Sequence, residues 1–101
     1  MRIIDMNGRD WRSKEDFYEA LADALGGFEG HGRNAEAFLE TMIFYPDLNS
    51  VQPPYEVTVR EADEAMQPFL TEFASWVEAA RTDRKSDPDW GDDVDVTVIV
   101  S

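Results

Sequence analysis

Hydrophobic and polar positions alternate along this chain in two distinct periods, and the change from one to the other marks its elements. Ile3-Ile4-Asp5-Met6 reads as a short buried strand closed by the turn pair Asn7-Gly8. Ser13-Lys14-Glu15-Asp16 has the form of a capping box, a hydroxyl for the orphan amides and an acid three residues on. The helix it opens carries Phe17, Leu21 and Leu25 on one face, with Ala20 and Ala24 beside them and Glu15, Glu19 and Asp23 opposite. Gly26-Gly27 ends it, since glycine reaches the left-handed conformation cheaply.

After the glycine-rich loop 28–33, Asn34 is a good N-cap for a second helix over 35–43, with Ala35, Phe38 and Met42 inward. Residues 45–54 form a loop punctuated by Pro46, Pro53 and Pro54, and the β-branched alternation of 55–59 predicts a strand. A short helix is expected over 60–66. Pro68 suits the first turn of a longer helix with an apolar stripe of Phe69, Phe73, Trp76 and Ala80, flanked by Leu70 and Val77. Residues 82–93 read as a polar acidic loop, and Val94 to Val100 as a closing strand. Strands separated by helical connections favour parallel pairing. The expected fold class is therefore α/β, a three-stranded parallel sheet packed with helices, in one domain spanning 1–101.

Charge changes the picture more than composition does. The 101 residues include 22 acidic and 9 basic side chains, a net charge of −13, well past the magnitude of about 2–8 that keeps a small domain soluble. Such a field repels phosphate backbones, so direct nucleic-acid binding is disfavoured, and it draws in cationic partners. No apolar run reaches the roughly 20 residues of a membrane span, and no signal-peptide pattern opens the sequence. The absence of cysteine removes disulfides and thiolate sites.

Enzyme signatures are sparse. Gly26-Gly27 and Gly30-x-Gly32 lack the strand and spacing of a phosphate-cradling loop, and the single histidine, His31, gives no zinc pair. No cofactor is indicated. Glu36 and Glu40 could form an acid/base pair, or join His31 at a metal, but carboxylates at this spacing are far commoner as a solvated helix face. That face still has small local costs. The two like charges repel at i, i+4, Glu40 lies toward the negative end of the helix dipole, and no Lys or Arg within the helix offsets either. A binding face and a tolerated acidic surface both fit this arrangement.

These residues resemble the barstar-like ribonuclease inhibitors. Ile4-Asp5-Met6-Asn7-Gly8 through Arg12-Ser13-x-x-Asp16-Phe17 is similar to the family's opening strand, turn and first helix. Gly32-x-Asn34-x-Glu36-Ala37-Phe38-x-Glu40 resembles its loop and second helix, and Val96 to Ser101 its terminal strand. The resemblance implies an intracellular, cytoplasmic protein, monomeric until complexed, that plugs the active site of a small basic ribonuclease or toxin nuclease. It implies that Glu40 sits in the phosphate pocket, that Glu36 replaces an earlier aspartate of the family, and that Gly32 and Asn34 are retained. It further implies that Glu78 matches an acidic contact from the last long helix, and that Tyr45 stands where the family often has an aromatic. Gly30 and His31 occupy the places of the family's paired tyrosines, and Leu39 that of its tryptophan, so the acidic helix is kept while the packing contacts differ. The alternative on the same fold is a module that binds another basic protein; a hydrolase or metal site using Glu36, Glu40 and His31 has the least support.

Overall fold

The computed structural model describes residues 2–26 and 34–101. Three strands, β1 (Arg2–Asn7), β2 (Tyr55–Arg60) and β3 (Val96–Val100), form one sheet in the order β1-β2-β3. Both pairings are parallel, with Ile4 opposite Val57 and Val57 opposite Val98. The helices are α1 (Lys14–Leu25), α2 (Ala35–Leu39) and α3 (Gln67–Ser86). The expected α/β class with a three-stranded parallel sheet is what the chain adopts.

Alternation along the strands sorts the sheet into two unlike faces. Ile4, Met6, Tyr55, Val57, Val59 and Val96 are buried on one side, as the period of two requires. The other side carries Ile3, 55% exposed, and Ile99, 45% exposed, together with an Asp5–Arg60 pair whose two nitrogen–oxygen contacts are 2.7 and 3.0 Å. All-parallel sheets are usually covered on both faces. This one is covered on one, so β1 is half-buried and alternating, where the sequence suggests a fully buried strand.

An aromatic cluster ties the helices to the sheet and to one another. The Phe17 ring lies 5.3 Å from Trp11, 5.7 Å from Phe69 and 5.1 Å from Phe73, all edge-to-face, the arrangement the ring quadrupoles favour. Tyr18 stacks on Phe38 at 5.5 Å, which docks α2 on α1. In α3 the innermost ridge is Leu70, Phe73, Val77 and Ala80. Phe69 and Trp76, expected at the centre of the stripe, lie at its margins, Phe69 against α1 and Trp76 toward α2. A helical period identifies an apolar face but not which of two adjacent ridges meets the sheet.

Several boundaries differ from expectation for local reasons. The Ser13 hydroxyl makes no capping bond; the Asp16 carboxylate instead accepts from the Arg12 amide at 2.7 Å. Residues 60–66 do not form a helix. Arg60 stays in β2, Glu61 takes a positive φ of 59°, and turns lead into α3. The helix α3 runs on to Ser86 through residues expected to be loop, because Arg81 and Arg84 anchor its last turns to the segment that follows. β3 begins at Val96 rather than Val94, after Asp95 at a φ of 59°. Gly26 does adopt the left-handed conformation, φ 66°, and a Cβ there would also meet Ser50 at 2.7 Å. Gly27 lies outside the described residues.

Candidate functional site

Asn34 starts α2 by accepting a hydrogen bond from the Ala37 amide at 2.9 Å, the N-cap role its side chain suits. Phe38 is the fully buried residue of this short helix. Glu36 and Glu40 each lie two residues from it, about 200° around an α-helix. Burying Phe38 on Tyr18 therefore turns both carboxylates outward, and both are exposed. The Glu40 amide still donates to the Ala37 and Glu36 carbonyls, so the two glutamates are a full α-turn apart.

Beyond Glu40 the helix widens. Residues Glu40–Phe44 form a π-turn closed by the Tyr45 amide donating to the Glu40 carbonyl at 2.6 Å. The sequence predicts one uninterrupted α-helix to Ile43. The extra residue in the turn instead allows Met42 and Ile43 to be buried together, and it carries Phe44 and Tyr45 round to the Glu40 side. Such turns are rare and favour functional positions. A short Pro46–Leu48 turn follows, fastened by the buried Asn49 amide donating to the Thr41 carbonyl at 3.0 Å.

The widened end is held from α3. Arg84, whose side chain is only 11% exposed, donates to the Ile43 and Phe44 carbonyls, two acceptors the π-turn leaves without helical donors. It also donates to Asp92 at 2.9 Å and lies 5.8 Å from the centroid of Trp90. Arg84 thereby fixes the 87–95 segment and sets Trp90 beside Phe44 and Tyr45, with ring centroids 5.3 and 6.2 Å away. One turn earlier, Arg81 binds Asp93 at 2.7 Å and Glu78 at 3.3 Å. The hydrogen bond from Arg81 holds the Asp93 carboxyl down at about 2.

Between α2 and α3 these elements leave an open groove of about 570 Å³. Its base is Ala35 and Leu39, its walls are Phe44, Tyr45, Trp76 and Trp90, and its acidic rim is Glu36 and Glu40. Two of the wall residues stay well exposed, Tyr45 at 53% and Trp90 at 37%.

The groove brings together four residues singled out in the sequence: Glu36, Leu39, Glu40 and Tyr45. Asn34 stands at the head of α2 as its cap. Glu78 does not line the groove; it is two residues from Trp76 on α3, on another side of the helix, and pairs with Arg81. Gly30, His31 and Gly32 lie outside the described residues. Trp76 and Trp90 belong to the groove without having been singled out as site residues. Trp76 resembles one more member of an apolar stripe, and Trp90 sits in an acidic stretch with no periodicity. The only hint in the sequence was a large aromatic where neighbouring residues promise no core.

Among the described residues no group of three His, Cys, Asp or Glu side chains could hold a metal ion, and no helix is long and apolar enough to cross a membrane. Fold and groove define a small α/β protein with a carboxylate-rimmed, aromatic-walled face beside its second helix. The sequence profile of the Barstar (barnase inhibitor) family matches residues 1–99. The chain belongs to that family, whose members are inhibitors of ribonucleases rather than enzymes. No curated protein sequence matches it.

Proposed function

We propose that this protein inhibits a small basic ribonuclease, or a toxin nuclease of similar charge, by placing the outer face of α2 in the nuclease active site. Glu40 takes the position of an RNA phosphate there and Glu36 an adjacent one. Asn34 and the loop containing Gly30, His31 and Gly32 flank them, Leu39 and Tyr45 make the apolar contacts, and Glu78 contributes from the long helix. The complex forms inside the cell from a monomeric inhibitor.

One observation carries this reading. Neither Glu36 nor Glu40 takes part in an ion pair among the described residues, and the two stand together on one groove. Two unpaired carboxylates fixed one turn apart on a well-anchored helix are acceptors held ready for external donors. A nuclease active site supplies such donors already oriented for phosphate, so little reorganisation opposes the charge-assisted hydrogen bonds. The net charge of −13 speeds the encounter at low salt.

The test is an RNA-cleavage assay with a purified barnase-type ribonuclease and increasing amounts of the chain. Stoichiometric loss of activity that Glu36→Gln/Glu40→Gln abolishes is the expected result. Full cleavage at a large molar excess of the chain in low salt, with no complex on gel filtration, would refute the proposal.

A further inference from the structure

The two edges of the sheet are covered unequally. On the inner face, Ile4 and Met6 of β1 are buried, and Val57 and Val59 of β2 are fully so. Val98 and Val100 of β3 share that face but are only half-buried, while Ile99 is exposed on the other face. Three consecutive β-branched residues are thus left incompletely covered. Among the described residues no strand lies beyond β3. Exposed edges are normally guarded by charged side chains or Pro, and Val96–Val100 contains neither.

The hydrogen bonds decide what this edge accepts. The Ser101 amide donates to the Val59 carbonyl at 3.1 Å, so the backbone groups of Ile99, two residues back, also turn toward β2. Val98 and Val100 alternate with them and turn their N–H and C=O groups outward. A second copy related by a two-fold axis at Ile99 sets Val98 of one protomer opposite Val100 of the other, each pair exchanging two hydrogen bonds. Ile99 then meets its own counterpart in the close, non-hydrogen-bonded position, where side chains pack against each other.

The helix above leaves room for this. Ala74 and Arg81, seven residues apart, share one flank of α3, and Arg81 reaches Asp95, the residue before β3, at 3.6 Å. The β3 side of α3 therefore carries the small Ala74, with Thr71 beside it, which lets a second α3 come near. We infer that two copies of this chain join edge to edge through β3, doubling the three-stranded sheet and leaving both α2 faces free. The seam is uncharged, but each copy carries −13. That repulsion keeps the dilute chain monomeric at low salt, and screening strengthens the dimer. Its salt dependence is opposite in sign to that of nuclease capture.

The chain has no cysteine, which permits a position-specific test on the full protein. Ile99→Cys sets two thiols across the axis at a Cα separation of about 4.5 Å, within the span of a disulfide. Ile3→Cys, on the outer face of β1 and more exposed, is the control. Under air oxidation the Ile99 variant should form covalent dimer roughly tenfold faster or more. Sedimentation equilibrium of the parent chain should show a reversible dimer whose dissociation constant falls as salt rises. Val100→Pro removes an outward N–H that β2 does not use, a change an edge strand tolerates. It should raise that constant roughly tenfold or more. Should that variant fold poorly, the cysteine pair decides alone, since both positions are exposed. A chain still monomeric at roughly millimolar concentration in high salt, or equal cross-linking of the two cysteine variants, would overturn the inference. So would a dimer that a folded Val100→Pro variant leaves intact, because its contacts would lie elsewhere. None of these readouts involves a nuclease, so failure of the inhibitor reading would leave them unchanged.

Discussion

A step of two residues from Phe38 in either direction leads from the core to the surface, and this geometry makes Glu36 and Glu40 available. Burial of an aromatic side chain contributes about 1.5–3 kcal/mol, many times the few tenths lost to like-charge repulsion at i, i+4. The helix thus tolerates both glutamates, and their side chains face outward with no internal counter-ion among the described residues. Glu40→Ala should weaken a complex with a barnase-type ribonuclease by about 2–5 kcal/mol, since it strands oriented cationic donors in the partner. Glu36→Ala should cost about 1–2 kcal/mol. Glu78→Ala should cost less than Glu36→Ala, because its carboxylate is occupied by Arg81 away from the groove. Inhibition constants measured for the three variants check this order, and melting curves should show stability changes within about 0.5 kcal/mol for Glu36 and Glu40. Loss of stability on replacing Glu40 would make it a structural residue.

Among the elements, the π-turn that ends the second helix has the greatest effect on the candidate site. It starts where the α-turn from Glu36 to Glu40 ends, buries Met42 and Ile43, and swings Phe44 and Tyr45 into the groove. Its free carbonyls are answered across the fold by Arg84. Arg84→Met retains much of the aliphatic stem but withdraws those donors, leaving partly buried acceptors unmet at a cost of about 1–3 kcal/mol. Urea denaturation should register this loss, and the Trp90 indole signal should move toward its unfolded position, because Asp92 and Trp90 lose their shared anchor. Arg84→Lys should recover part of the stability but less of the Trp90 signal. A variant as stable as the parent, with Trp90 unmoved, would show that the 87–95 segment is held by other contacts.

For the whole molecule, electrostatics act in two ways. The surplus of acids sets a long-range field, so association with a basic nuclease should slow steeply as ionic strength rises and the Debye length falls to about 8–10 Å. Stopped-flow rates that ignore salt would remove steering from the account. Close to the fold, Arg81 lowers the Asp93 carboxyl from 3.8 to about 2. A carboxyl depressed by folding contributes its stability above its unfolded value, and that contribution disappears as pH falls through the folded one. The difference in melting temperature between the parent and Asp93→Asn should therefore hold steady above pH 3.8 and shrink toward zero as pH approaches about 2. A gap that does not narrow in that window would mean that the Arg81–Asp93 link adds nothing to stability.

Periodicity was enough to place the three strands and the first and last helices, though not every boundary, and residue type was enough for the left-handed Gly26 stop and the Asn34 cap, since each follows from preferences within a few residues. The acidic pair was legible for the same reason: 36, 38 and 40 sort themselves on any helix. The α/β class followed from the order of elements, because helical connections bring strands together in parallel. Other features depend on partners distant in sequence. The π-turn exists because Arg84, some forty residues on, satisfies its carbonyls, and the helical continuation to Ser86 is fastened by acids that lie beyond it. The open face of the sheet and the inward ridge of α3 reflect which surfaces meet, a question hydrophobic period does not address. The groove belongs to this second kind: Trp76 and Trp90 come from separate elements, and only packing sets them beside the helix that carries Glu36 and Glu40.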